Sequence, residues 1–242
     1  MKPLDLARAR GDTRPSAAFS AACADCPAAR IGCFRESVDG GCQFVKASLS
    51  AGAPIPVAWG ERYAFALVRR GVVIRTRAEK CGASTAIDCA GAGALVPWSP
   101  LTSELGYAAT DVLVCLYTRA SVDAAIVREE RTTRDILGGL SAALERVERL
   151  AEARGQVVAE DRVASLLNVL ADTLSPPTRR ERLPTGLRQR DLALLAGVRH
   201  ESFCRVLTKL ELAGGVQRSS DGLAIAGRER LHAAAAGQTE TH

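Results

Sequence analysis

Three cysteines lie within eleven residues near the start of this 242-residue chain, in the stretch CADCPAARIGC. They are Cys23, Cys26 and Cys33, and thiolates so close in sequence are typical ligands of tetrahedral zinc and of iron–sulfur clusters. Either group usually takes four protein ligands, so this stretch is one thiol short. Cys42 follows nearby and would complete a wholly local set of four.

Disulfide bonds are the less favoured alternative for these thiols. The N-terminal segment MKPLDLARARGDTRPSAAFSAA contains Arg10, Asp12 and Arg14 near its middle, so it lacks the apolar region of a secretory signal. No stretch reaches the ~18 uninterrupted apolar residues of a membrane span. We therefore expect a cytoplasmic protein without membrane contact, in a reducing compartment where disulfides are rare. From the residues alone, zinc, an iron–sulfur cluster and plain buried thiols all stay open.

The positive charge of the chain is concentrated near its C-terminus. The whole sequence has a net charge of +5, and the segment 178–242 carries eleven Arg or Lys against seven acidic residues, a net of +4. Such a distribution suits a polyanion such as DNA, although a solvated basic surface would look the same.

Residues 47–118 are predicted to form an antiparallel β domain. Short β-rich segments alternate there with glycines, and they read RYAFALVRRG, VVIRTRA, STAIDCAG, GALVPW and DVLVCLY. The pattern then changes to a helical period, without proline from Ala120 to Arg154. We therefore expect one long helix after the β domain.

That helix carries an apolar seam whose members alternate at spacings of three and four. The seam consists of Leu137, Leu140, Leu144, Val147 and Ala151. This spacing is typical of a helix that pairs with a partner helix, so we predict a dimerisation helix over 119–156. The alternative is that the seam packs on the β domain of its own chain.

A helix-turn-helix is predicted between Gln189 and Leu210. Its first helix has the small Ala193 at its centre, and Gly197 permits a tight turn before the second helix. The inward face of the second helix consists of Phe203, Val206, Leu207 and Leu210. The following segment AGGVQRSSDGLAIAG is typical of a two-stranded wing.

The outward face of the second helix supplies the candidate DNA-reading residues. They are His200, Glu201, Cys204 and Arg205. Arg205 can pair bidentately with O6 and N7 of guanine, and Glu201 can accept a hydrogen bond from a cytosine amino group. Arg199 and Lys209 fit phosphate contacts, which position a protein without reading sequence. The alternative for Glu201 and Arg205 is a surface ion pair, since they are four residues apart on one helix.

The order of β domain, long helix and winged helix-turn-helix resembles the CRP/FNR family of bacterial transcription regulators, from about Cys23 to the C-terminus. The helix GVRHESFCRVL is similar to the family's recognition helix, in which Glu201 and Arg205 match the residues that read DNA. The resemblance implies an α+β fold with an N-terminal, cupin-like β-roll sensor domain, a long dimerisation helix and a C-terminal winged helix-turn-helix. It also implies a homodimer on double-stranded DNA, at a palindromic operator with TTGA- or TGTGA-type half-sites, and RNA polymerase as a further candidate partner.

The expected divisions of the chain are a cysteine-rich segment over 1–46, the β-roll over 47–118, the dimerisation helix over 119–156 and the DNA-binding domain over 157–242.

In the oxygen-sensing FNR branch of the family, a cysteine near the last β strand completes a [4Fe-4S] site begun by three N-terminal cysteines. The segment DVLVCLYTRASVDAAI is similar to that stretch and places Cys115 at the corresponding position. The resemblance thus implies a [4Fe-4S] cluster on Cys23, Cys26, Cys33 and Cys115, with one more residue between Cys26 and Cys33 than in the best-known FNR pattern. Cys42 is the rival fourth ligand. It lies in GGCQFVKASL, where the family usually has a short helix, so we expect it to be a core residue.

Cyclic nucleotides are not expected as effectors. Family members that bind them neutralise the phosphate with an arginine of the β-roll, whereas here no Lys or Arg occurs between Lys80 and Arg119. Enzymatic activity is not expected either, because the histidines are few and the sequence has no nucleotide-binding glycine loop. We therefore predict a DNA-binding regulator that senses oxygen, nitric oxide or redox state. The alternative is a regulator of the same type that uses thiol redox chemistry, zinc or a small effector.

Overall fold

The structure is a computed structural model, which describes residues 44–79, 82, 84–98, 104–128, 130–174, 182–219 and 222–235. Five cysteines lie outside these residues, namely Cys23, Cys26, Cys33, Cys42 and Cys81. Within the described ranges, no helix is long and apolar enough to cross a bilayer.

In the described part of the chain, seven antiparallel strands form two sheets that share one core. The strands are β1 (Phe44–Leu49), β2 (Tyr63–Arg70), β3 (Val73–Ala78), β4 (Ser84–Ala90), β5 (Leu95–Pro97), β6 (Glu104–Ala108) and β7 (Val112–Thr118). One sheet has the strand order β1-β7-β2-β5, and the other has the order β4-β3-β6. A short helix, α1 (Val57–Arg62), connects β1 to β2.

Strand β7 shows how the sequence distributes its side chains between two apolar clusters. Val112, Val114 and Leu116 belong to the core shared with the second sheet. The intervening residues Cys115 and Tyr117 belong to a separate cluster on the other face, beside the first helical residues after the strand. This alternation follows from the period of two along a strand.

All five β-rich segments predicted from the sequence contribute strands, but β1 differs from the prediction. The resemblance predicted a short helix in GGCQFVKASL, whereas residues 44–49 of that segment form a strand. They pair with β7 in a register that runs from Phe44 opposite Tyr117 to Leu49 opposite Val112. The segment is extended because it pairs with β7, an apolar strand rich in β-branched residues. Strand β1 also crosses the division expected at residue 46.

Two helices are described after the β domain, in the range where the sequence predicted one long helix, and residue 129 between them lies outside the described residues. Helix α2 covers Arg119–Arg128 and α3 covers Glu130–Gly155. The hydroxyl of Thr133 donates to the carbonyl oxygen of Ile126 at 3.4 Å, although residues seven apart in a continuous helix are separated by about 10 Å along the axis. The chain therefore bends sharply between α2 and α3.

A buried ion pair fastens α3 to the β domain. The Asp88 carboxylate of β4 is fully buried and accepts from Nε and Nη2 of Arg146, each at 3.2 Å. Arg146 also donates to the carbonyl oxygen of Leu95 at 2.9 Å, and Nη1 of Arg75 lies 3.7 Å from the same carboxylate. These contacts compensate for removing Asp88 from water.

The described residues of the C-terminal part form four helices and a two-stranded sheet. These elements are α4 (Ala159–Leu174), α5 (Gln189–Ala196), α6 (His200–Leu212), β8 (Val216–Ser219), β9 (Gly222–Ile225) and α7 (Arg228–Ala235). Phe203, Leu207 and Leu166 lie in its core, and Ile74 and Cys89 of the β domain belong to the same apolar cluster. The outer face of the β4-β3-β6 sheet therefore packs directly on the C-terminal helices.

Candidate nucleic-acid interface and thiol site

Gly197 fixes the turn between α5 and α6. Its φ of 64° lies in the left-handed region that favours glycine, and its N–H donates to the carbonyl oxygens of Ala193 and Leu194. A Cβ at this position would lie only 3.1 Å from Nε of Arg154. Gly197 thus forms the turn that the sequence predicted, and Ala193 is buried within α5.

Helix α6 has one buried face and one exposed face. The buried face consists of Phe203, Val206, Leu207 and Leu210. The exposed residues are His200, Glu201, Arg205 and Lys209, with Cys204 partly covered beside them. Arg199, also exposed, is the N-cap residue of the helix. All six predicted DNA-binding residues therefore lie on the side of α6 that is open to solvent.

Glu201 and Arg205 do not form the surface ion pair that was the alternative to base reading. Among the described residues, neither side chain has a hydrogen-bond or ion-pair partner. A carboxylate and a guanidinium without partners on an exposed helix face can both meet the edges of base pairs in a major groove. Base reading stays a prediction, but the geometry leaves it open.

Lys209 is already engaged within the chain. Its Nζ lies 2.7 Å from Oε1 of Glu160, at the start of α4. The hydrogen bond from Lys209 lowers the pKa of the Glu160 carboxyl. A DNA phosphate that used Lys209 would therefore have to replace an existing carboxylate partner.

Cys204 joins the exposed face of α6 to the first residue of α5. Its thiol donates to Oε1 of Gln189 at 3.1 Å and lies 3.6 Å from Nε2 of His200. Cys204 thus contacts one residue of each helix of the helix-turn-helix.

Among the described residues, no group of three potential ligands could hold a metal ion.

Further basic residues surround this surface, and sequence reasoning did not single them out. Arg188 and Arg190 are exposed at the beginning of α5. Arg218 of the wing is held by Glu211 at the end of α6, with Nε 2.7 Å from Oε2, and this contact lowers the pKa of the Glu211 carboxyl. The net charge of the segment 178–242 was the available signal for these residues.

Cys115 lies on β7 directly opposite Lys46 of β1. The residue is 5% exposed and belongs to the apolar cluster that includes Tyr117, Val122 and Ile136. Strand β1 is the first described element after the N-terminal cysteines, so the chain that carries them enters the fold beside Cys115. The four other predicted or rival ligands lie outside the described residues.

The remaining described thiol, Cys89, lies in the interface between the β4-β3-β6 sheet and the C-terminal helices. It is 5% exposed, and burial raises its pKa far above the ordinary value, with a further contribution from Asp88. Cys89 is therefore a neutral, buried side chain, as expected for a small apolar residue.

Most of the predicted seam of α3 is exposed. The exposed fractions are 58% for Leu137, 38% for Leu140 and 59% for Leu144. Ala151 is exposed and Val147 is partly covered. The stripe next to the seam, which includes Ile136 and Leu150, is buried within the chain. Helix α3 thus packs on its own β domain through a different set of residues and leaves the seam uncovered.

Comparison with known proteins identifies the C-terminal part and the fold. Residues 161–234 match the Crp-like helix-turn-helix domain. FixK2 from Bradyrhizobium japonicum is 20% identical, with 78% of this chain and 96% of that chain aligned at a TM-score of 0.62. A comparison with curated protein sequences gives no significant match.

Two further solved structures have the same arrangement. A mutant of CooA from Carboxydothermus hydrogenoformans is 19% identical over 79% of this chain and 88% of that chain, with a TM-score of 0.62. TTHA1359 from Thermus thermophilus, a transcriptional regulator of the CRP/FNR family, is 21% identical over 79% and 98%, with a TM-score of 0.51. The predicted fold class is thereby confirmed: the chain has a CRP/FNR-like fold whose C-terminal part is a Crp-like helix-turn-helix domain.

Proposed function

We propose that this chain is a homodimeric, DNA-binding transcription regulator of the CRP/FNR type. The observation that carries the proposal is α6, the second helix of a Crp-like helix-turn-helix domain, with Glu201 and Arg205 exposed and unpaired among the described residues. In such domains the second helix enters the major groove. Arg188 and Arg190 lie close in sequence to this helix and supply positive charge toward a phosphate backbone.

Arg205 provides the test of DNA reading. We expect Arg205→Ala to lower affinity for a palindrome of two TTGA-type half-sites, because one bidentate Arg–guanine pair is worth about 1–3 kcal/mol. Fluorescence anisotropy would compare this palindrome with a duplex whose half-site guanines are replaced. Arg134→Ala, an exposed arginine of α3, is the matched control. If the Arg205 variant kept full discrimination between the two duplexes, base reading by α6 would be wrong.

The two-fold symmetry of a palindrome requires two copies of the chain. The open seam Leu137–Leu140–Leu144 supports a dimer through α3, because an apolar stripe at alternating spacings of three and four is typical of paired helices. Two recognition helices held by such a dimer would meet half-sites about one helical turn apart. The absence of cyclic-nucleotide binding stays a prediction.

We further propose that the sensor is a [4Fe-4S] cluster on Cys23, Cys26, Cys33 and Cys115. Such clusters are held by cysteine thiolates, usually four, and this set supplies four. The position of Cys115 supports the fit, because its neighbour β1 is the strand into which the N-terminal cysteines lead. When bound, the cluster would supply reactivity toward oxygen or nitric oxide. The chain's own contribution would be to tie its N-terminal segment to β7.

Iron and labile-sulfide analysis of protein purified without oxygen tests the sensor. We expect about four of each per chain for the wild type, and a loss of both in Cys115→Ala. Cys89→Ala is the matched control, since Cys89 is equally buried but lies in the other sheet. A Cys115 variant that keeps its full iron, sulfide and operator affinity would contradict the assignment. The same result together with iron loss in Cys42→Ala would instead identify the rival ligand.

Iron-free wild-type protein that still binds the operator would favour the alternative regulator, which uses thiol redox chemistry, zinc or a small effector. Zinc analysis of the same preparation and effector titrations would then separate these alternatives. The DNA-reading proposal does not depend on which of these sensors is present.

A further inference from the structure

A row of three side chains on the β domain faces the DNA-binding helices. Cys89 of β4 and Tyr107 of β6 are both paired with Ile74 of β3, so all three project from the same face of the sheet. Ile74 and Cys89 are buried in the apolar cluster of the C-terminal helices, and Tyr107 packs against it. The β4-β3-β6 sheet, referred to below as the sensor sheet, therefore carries a contact surface for the helix-turn-helix.

Tyr107 makes a directional contact across this boundary. Its hydroxyl donates to Oδ1 of Asp191 in α5 at 2.9 Å. The other carboxylate oxygen, Oδ2, accepts from the backbone N–H of Arg188 at 3.1 Å and so caps the first turn of α5. Asp191 is 3% exposed. One buried carboxylate is thus shared between the sensor sheet and the first helix of the helix-turn-helix.

The protonated form of Tyr107 is the one that can donate, and its surroundings preserve it. Burial raises the pKa of the phenol, and the neighbouring Asp191 charge raises it further. Arg190 lies 3.9 Å from the same Asp191 oxygen but is itself largely exposed. Removal of the phenolic hydroxyl would therefore leave Oδ1 of a buried carboxylate without its close donor.

Shape complementarity at two other points supports the same orientation of the domains. A Cβ on Gly91, beside the end of β4, would lie 2.8 Å from a side-chain carbon of Leu174 in α4. A Cβ on Gly186, just before α5, would lie 3.3 Å from Cγ2 of Thr110. In this arrangement the outward face of α6 stays exposed, so the contact between the domains does not cover the residues that would read DNA.

We propose that Tyr107 is a positioning residue for DNA binding, which acts through Asp191 to hold the helix-turn-helix at a fixed orientation on the sensor sheet. The inference rests on the proposed function. A dimer binds both half-sites of a palindrome at once only when its two recognition helices are held at the correct separation. Domains that rotate freely lose more orientational entropy on binding than domains that are held in place. Tyr107 should therefore matter for a palindrome and not for an isolated half-site.

The test compares Tyr107→Phe with the wild type on two DNA duplexes. We expect affinity for the palindrome to fall about tenfold, the lower range for losing a hydrogen bond to a charged group, and affinity for a single half-site to stay unchanged. Tyr63→Phe is the matched control, because it removes a hydroxyl that has no partner among the described residues of the same domain. Equal affinities of wild type and variant for the palindrome would overturn the proposal, and so would an equal loss on both duplexes.

A second readout does not require DNA. Cys89 lies in the contact surface, so its alkylation by iodoacetamide, followed by mass spectrometry of the Cys89 peptide, reports separation of the domains. We expect faster alkylation in Tyr107→Phe and in Asp191→Asn, with unchanged rates in Tyr63→Phe. An unchanged rate in both interface variants would overturn the proposal. If the wild type bound no specific DNA, the proposed function would fail, while the Cys89 rates would still decide whether the contact exists.

Discussion

The open seam of α3 leads to a quantitative prediction about dimerisation. Full burial of a leucine side chain is worth about 2 kcal/mol. Because 59% of Leu144 is exposed in the single chain, closure of the seam would recover about 1 kcal/mol in each protomer. A two-fold axis repeats the contact, so Leu144→Ala should weaken the dimer by about 2 kcal/mol, or roughly thirtyfold in Kd.

Sedimentation equilibrium at protein concentrations around the dimer Kd would measure this effect. Leu137→Ala should weaken the dimer as much as Leu144→Ala, and Leu140→Ala less, since the effect should follow the exposed fractions of 58%, 59% and 38%. Leu212→Ala is the control, because Leu212 is 84% exposed at the end of α6, away from the seam. The reasoning is refuted if the Leu144 variant keeps the wild-type Kd, or if the Leu212 variant loses as much.

Two further predictions concern ion pairs of very different burial. Asp88→Asn should lower the free energy of unfolding, measured in urea, by about 3 kcal/mol, because it leaves the buried Arg146 without its counter-charge. A loss under about 1 kcal/mol would contradict this prediction, since exposed ion pairs contribute that little. Glu160→Gln should strengthen non-specific DNA binding and steepen its salt dependence, because Lys209 loses the carboxylate 2.7 Å away and becomes free to contact a phosphate. An unchanged salt dependence would mean that Lys209 does not reach a phosphate. Since Lys209 lowers the pKa of Glu160, the stability that the pair contributes should be present at neutral pH and fade as the pH falls below 4.5, the ordinary value of the carboxyl. Urea unfolding of the wild type and of Glu160→Gln between neutral pH and pH values below 4.5 tests whether the difference in their stability shrinks as the pH falls.

The helix-turn-helix could be predicted from sequence because its signals are local. The turn needs a residue that tolerates positive φ, and Gly197 supplies it. The apolar residues of α6 recur at the helical period, so the face that holds Glu201 and Arg205 follows directly from their positions. No partner outside the motif is needed to place these side chains.

Strand β1, the buried ion pair and the contact between the domains depend on partners far away in sequence. Residues 44–49 form a strand because β7, some seventy residues later, offers its edge to them. Asp88 and Arg146 are 58 residues apart, and the sequence around neither residue indicates that the two form an ion pair. Tyr107 and Asp191 are 84 residues apart, and the contact emerges only when the sheet and the helices are packed together.

The bend before α3 brings the thiol site and the seam next to each other. Cys115 shares an apolar cluster with Ile136, which is 7% exposed, and the next residue of α3, Leu137, is 58% exposed at the start of the seam. Packed side chains transmit displacement because they leave no free volume to absorb it. A shift of β7 at Cys115 would therefore move the first turns of α3, and with them the seam that begins at the next residue. If the proposed cluster binds Cys115, its loss would in this way alter the proposed dimer directly, without first acting on the DNA-binding helices.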